Sequence, residues 1–159
     1  MNSFSLHPLI PLPAGITGFF GPEDQLIQPA SPQGFRRLCH GLAREAGGKV
    51  LETDETLLCK NFYVGTLLLP AGPCCLLRNA YFPDITFSAS ADPSAGAFVD
   101  SPIFPASPLL SRYHLLGPTQ LSASCTDPGV LDCLSPAELA QIRDWKPQTI
   151  GQILFNLWD

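Results

Sequence analysis

The longest apolar run in the chain, FYVGTLLLPAGPCCLL, spans sixteen residues and carries Pro70, Gly72 and Pro73 at its centre. A membrane span needs about 20 unbroken apolar residues, and a proline pair stops a helix. The run therefore predicts a hairpin: Asn61–Leu69 and Cys74–Phe82 as strands, joined by the four-residue turn Pro-Ala-Gly-Pro. Adjacent strand residues point to opposite faces, so Cys74 and Cys75 are not expected to hold one metal ion. Around this hairpin, "KVLET" and "DITFSAS" read as further strands. Ile85 and Phe87 alternate with Thr86 and Ser88, as in a strand with one wet side. "FVDSPIF" and "RYHLLG" read as short edge pieces.

Helix signals flank this strand-rich stretch. Ser31 and Pro32 open a helix in which Phe35, Leu38, Cys39, Leu42 and Ala46 recur at helical spacing, and Gly47 and Gly48 close it. Gly34 and Gly41 each weaken it by about 1 kcal/mol relative to alanine, so packing must hold it. Near the end, Ser135 and Glu138 form a capping box with Pro136 in the first turn. Leu139, Ile142 and Trp145 follow as an apolar stripe, Pro147 interrupts, and Thr149 caps a last helix. The expected fold is α+β: an antiparallel sheet of about five strands, with one N-terminal and two C-terminal helices packed on one face. A single domain covers 1–159. It comprises a Pro/Gly-rich segment (1–30, with one or two short strands), a helix (31–48), a strand-rich core (49–118, with a loop at 89–109) and two helices (134–159).

Only 14% of the 159 residues are charged, and the net charge is −5. Soluble proteins average roughly 25% charged residues, so polar uncharged groups or another chain must cover the surface. Nucleic acid is not an expected partner, because phosphates call for a basic stripe. An acidic protein suits a basic protein partner. The proline-broken start lacks a basic n-region and an unbroken apolar h-region, and so does not read as a signal peptide. Cytoplasmic placement follows, with the six cysteines as thiols.

The last stretch, "WKPQTIGQILFNLWD", concentrates apolar residues where chains usually fray. As a helix it places Ile150, Ile153, Leu154 and Leu157 on one face with Trp158 at the border, and Gly151 admits a neighbouring backbone. Either the tail docks on the core, or its Phe155 and Trp158 edge is a binding surface. The pattern W-x-P-x-T-x-G-x-x-x-F-N-x-W-D resembles the ending of small uncharacterised bacterial proteins of immunity-protein-like type. That resemblance covers about fifteen residues and implies binding and neutralisation of a toxin; it carries no catalytic assignment.

Candidates for chemistry are sparse. The thiols lack C-x-x-C or zinc-finger spacing, and Cys39 and His40 diverge on a helix. His7, His40 and His114 have no metal-ligand spacing, and the glycines of "GITGFFG" match no phosphate-binding fingerprint. No cofactor, metal or catalytic residue is assigned. Arg36, Arg37, His40 and Arg44 form a basic ridge on the first helix. Glu52, Asp54 and Glu55 gather at a connection and, with Phe155 and Trp158, are the expected partner-binding residues. The expected function is a non-enzymatic, immunity-type binding protein that occludes a toxin, with a basic toxin domain as the partner its charge suits. The alternatives are a small enzyme using a Cys or His under the 89–109 loop, and a structural subunit of an assembly.

Overall fold

The computed structural model describes residues 10–103 and 107–158, the side chain of Ala95 apart. His7, Asp159 and any strand within residues 1–9 lie outside the described residues. Within the described part of the expected segment, residues 10–30 hold turns and no strand.

Helix α1 (Pro32–Glu45) starts where its sequence indicates, with the Ser31 hydroxyl accepting from Gly34 N at 3.1 Å. Phe35, Leu38, Cys39, Leu42 and Ala43 are buried. Strands β1 (Lys49–Asp54), β2 (Phe62–Leu69), β3 (Gly72–Asn79), β4 (Asp84–Ser88) and β5 (Phe98–Val99) follow one another in an antiparallel sheet. The sixth, β6 (His114–Leu115), pairs parallel with β4. In the central hairpin Leu69 sits opposite Gly72, so the turn is only Pro70-Ala71, and Gly72 and Pro73 belong to β3. Three helices complete the chain: α2 (Pro118–Leu121), which the sequence did not suggest, α3 (Pro136–Trp145) and α4 (Ile150–Leu154).

The helices cover both faces of the sheet, not one. Tyr63, Leu67, Leu76, Ile85 and Phe87 meet α1 on one side. Phe62, Val64, Cys75 and Leu77 meet Leu121, Leu134, Ile150, Ile153 and Leu154 on the other. Cys74 and Cys75 accordingly fall into separate cores. The physical reason lies in the unbroken apolar run: strands apolar at successive positions need a cover on each side. Strand β4 has no wet side either. Thr86 is buried because its hydroxyl donates to Leu116 O at 2.8 Å, and Ser88 because its hydroxyl donates to Ser90 O at 2.7 Å. Gly65 lets α1 come close, since a Cβ there would stand 2.5 Å from Cys39 Sγ.

Candidate functional site

The tail is anchored by polar side chains as much as by apolar ones. Helix α4 ends at Leu154, so the expected helical face does not extend to Leu157 and Trp158. The carbonyls of Ile153 and Leu154, left without helical donors, accept from Asn61 Nδ2 at 3.1 Å and Asn79 Nδ2 at 2.8 Å. Asn156 N then donates to Asn61 Oδ1 at 2.8 Å, and Asn61 N to Asn156 O at 3.3 Å. These bonds draw the chain out of the helix and along the start of β2. Asn156 Nδ2 reaches Thr17 O at 3.1 Å, tying in the N-terminal turn. Gly151 works as expected: a Cβ there would stand 3.0 Å from Leu121 O, so α2 lies directly against α4.

Glu138 ties the same N-terminal turn to the start of α3. The capping box with Ser135 forms, with Glu138 N to Ser135 Oγ at 3.3 Å and Ser135 N to Glu138 Oε1 at 3.1 Å. Glu138 also accepts from Gly15 N at 3.0 Å, Thr17 N at 3.1 Å and Thr17 Oγ1 at 2.6 Å. It is fully buried, and every buried side-chain N or O among the described residues has a partner.

On this anchored base opens a groove of about 460 Å³, lined by Trp145, Lys146, Gln148, Gln152, Leu157 and Trp158 among others. Trp145 leaves the stripe assigned to it: it is 42% exposed, and its indole lies parallel to that of Trp158, with 5° between planes and 6.4 Å between centroids. Its Nε1 donates to Gln141 Oε1 at 3.2 Å, which fixes the ring. Lys146 takes a left-handed conformation, φ 52°, to end α3, and donates its N–H to Ile142 O at 2.8 Å. A glycine would serve there with less strain; the lysine keeps a cation at the groove. Gln152 Oε1 accepts from Gln148 N at 2.7 Å, which shapes the floor.

The five expected partner-binding residues are scattered. Trp158 lines the groove although only 8% of it is exposed. Phe155 also lines the groove, but it is only 1% exposed and packs at 6.1 Å from Phe62 and 6.0 Å from Phe98 in the core. None of Glu52, Asp54 and Glu55 lines the groove. Glu55 pairs with Arg36, which removes one member from the basic ridge. Asp54 accepts from Thr56 N at 3.0 Å, Thr56 Oγ1 at 2.7 Å and Lys60 Nζ at 3.0 Å. The Thr56 amide and hydroxyl, followed by Lys60, hold its carboxyl down at about 2. Glu52 lies exposed on β1.

Burial raises four thiols above their ordinary range: Cys39 to about 12, with Glu55 adding to the effect, Cys74 to about 11, and Cys75 and Cys125 in the same direction. A nucleophilic cysteine needs the opposite shift. His114 was named without a partner; the structure supplies one, Asp84, at 3.0 Å from Nδ1. His40 is exposed on α1 while Cys39 is buried, so those neighbours do diverge. Among the described residues, no three His, Cys, Asp or Glu side chains cluster as metal ligands would. No helix among them is long and apolar enough to cross a membrane.

Sequence reasoning missed Trp145, Lys146, Gln148 and Gln152. One signal was available: Trp-Lys-Pro closes α3, and a tryptophan in the last turn before a helix stop has less of the helix beside it to cover it. Comparison of the chain with protein-family models, curated proteins and solved structures returned no match.

Proposed function

We propose that this chain is a binding protein whose docking face is the Trp145–Trp158 groove, and that it acts by covering a partner protein. The observation that carries the reading is Trp145, a large aromatic held in one orientation by Gln141 and left 42% exposed beside a second indole. Exposed apolar surface of this kind is costly unless something covers it, and tryptophan is the side chain most favoured at interface hot spots. Pre-ordered rings lose little entropy when a partner docks. Gln148, Gln152 and Lys146 offer polar groups around the aromatic centre, the arrangement of an interface with an apolar core and a polar rim.

The resemblance of the tail to immunity-type endings extends the proposal to a bacterial cytoplasmic protein that occludes a toxin. The net charge of −5 favours a basic partner through faster encounter. Size-exclusion chromatography and calorimetry against the products of neighbouring genes test this reading. A one-to-one complex that Trp145→Ala weakens at least about tenfold, the usual scale of a hot spot, supports it. Failure to bind any of those products defeats it.

One observation favours a second reading, that of a small enzyme. Asp84, 4% exposed, holds the Nδ1 side of the partly exposed His114 at 3.0 Å, as an orienting carboxylate holds a general base. Hydrolysis of an activated ester that depends on both His114 and Asp84 would favour this reading over the first.

A further inference from the structure

A second cavity, of about 180 Å³, lies where the N-terminal turn meets the start of α3, walled by Phe19, Phe20, Asp24, Gln25, Ile27 and Glu138 among others. Two carboxylates and two phenylalanines line it, and among the described residues no lysine, arginine or histidine does. Glu138 already accepts from Gly15 N, Thr17 N, Thr17 Oγ1 and Ser135 N, so it contributes negative potential rather than further bonds. The N-terminus of α3 offsets up to about half a charge of this potential. Asp24 differs. Its Oδ2 accepts from Gly21 N at 2.6 Å, and its Oδ1 has acceptor capacity to spare. Neither carboxylate pairs with a cation among the described residues.

We propose that this cavity binds a small organic cation, an ammonium or guanidinium group on a short alkyl chain, with Asp24 Oδ1 as its acceptor. Charge supplies the sign, and the rings of Phe19 and Phe20 add cation–π attraction. Ile27 and the rings suit the alkyl chain and disfavour a hydrated metal ion, which needs several oxygen ligands. The volume is close to that of an apolar cavity of about 150 Å³ that takes benzene, which leaves room for about six heavy atoms. This inference stands apart from the groove and does not require it. Phe19 nevertheless lies 6.1 Å from Trp158, so the cavity abuts the groove. The cation therefore has two sources: a free amine, or a lysine or arginine side chain of a docked protein.

The test is a titration of the intact ¹⁵N-labelled chain, following the amides of Gly15, Thr17 and Phe20. The probes are n-butylammonium chloride and its neutral counterpart n-butanol. The expected result is saturable shifts at those amides with a Kd of about 1–10 mM. Butanol should bind at least about tenfold more weakly, as should butylammonium to Asp24→Asn, each having lost one charge partner. Asp24→Asn retains a carbonyl for Gly21 N and should unfold at the same temperature as the parent. Equal affinity for butanol, an unchanged affinity in Asp24→Asn, or no saturable shift would each overturn the proposal. Nα-acetyl-lysine methylamide separates the two sources: binding as tight as butylammonium or tighter assigns a protein side chain, and weaker binding assigns a free amine.

Discussion

On one face of the sheet, the fourteen consecutive residues of α1 supply most of the cover, through Phe35, Leu38, Cys39 and Leu42. On the other, the cover is assembled from Leu12 and Ile16, from Leu116 to Leu134, and from Ile150 to Trp158. The first face is largely apolar: the Tyr63 hydroxyl donates to Ala30 O at 2.6 Å, and at the rim Arg36 pairs with Glu55. The second is held by buried polar side chains as well: Glu138, Asn61, Asn79, Asn156 and Thr17. Short, irregular segments leave many backbone groups without partners, and side chains must provide them. That requirement explains why carboxamides and a carboxylate lie so deep. It also places the groove, because the segments that need stapling are the ones that present Trp145 and Trp158.

The largest effect should come from Glu138. Replacing it with alanine strips the acceptor from three backbone amides and one hydroxyl. A loss of about 4 kcal/mol is expected from urea unfolding, since each buried orphan costs roughly 1–3 kcal/mol and water recovers part of it. A loss below about 1 kcal/mol would mean that the second face does not depend on its polar staples. Phe35→Ala probes the first face, where only packing is removed, and should cost about 3 kcal/mol through the cavity it leaves. The two variants should also differ in where they loosen the protein. Hydrogen exchange should rise at Gly15 and Thr17 for Glu138→Ala, and along α1 for Phe35→Ala.

Smaller effects sharpen the contrast at the rims. Lys146→Gly relieves a left-handed residue and should raise stability by about 0.5 kcal/mol while weakening partner binding. A gain in both would show that the lysine has no part in the groove. Asp54 tests the rim of the second face, where it stands in register with Val64. Its carboxyl is held near 2, below the ordinary 3.8, so the ionised form is favoured in the folded chain. Its contribution is present above about pH 4 and is lost as pH falls towards 2. Because the side chain is half-exposed, Asp54→Asn should cost only about 0.5 kcal/mol at neutral pH. The parent and the variant should converge in stability near pH 2.

The same contrast accounts for what could be read from the sequence. Helix α1 was legible because cap, apolar spacing and stop all lie within one segment. The hairpin and both C-terminal N-caps were legible for the same reason. The second cover was not, because residues such as Asn61 and Asn156 carry no local sign that they will meet across the fold. Apolar character at Phe155 fits a core or a surface, and only the fold shows that it packs against Phe62 and Phe98 while also lining the groove. Trp145 was read into the core because its helical spacing from Leu139 and Ile142 is right. The chain turns at Lys146 before anything covers it.

Both tryptophans of the chain, Trp145 and Trp158, line the groove, and Trp145 is the one exposed there, so its intrinsic tryptophan emission reports on the groove. The most direct test is to follow this emission while titrating a candidate partner, with light scattering to register the complex. If partners are bound through the groove, emission should shift to the blue as the Trp145 indole loses water, in step with complex formation. A complex that forms while the emission stays unchanged would contradict the account.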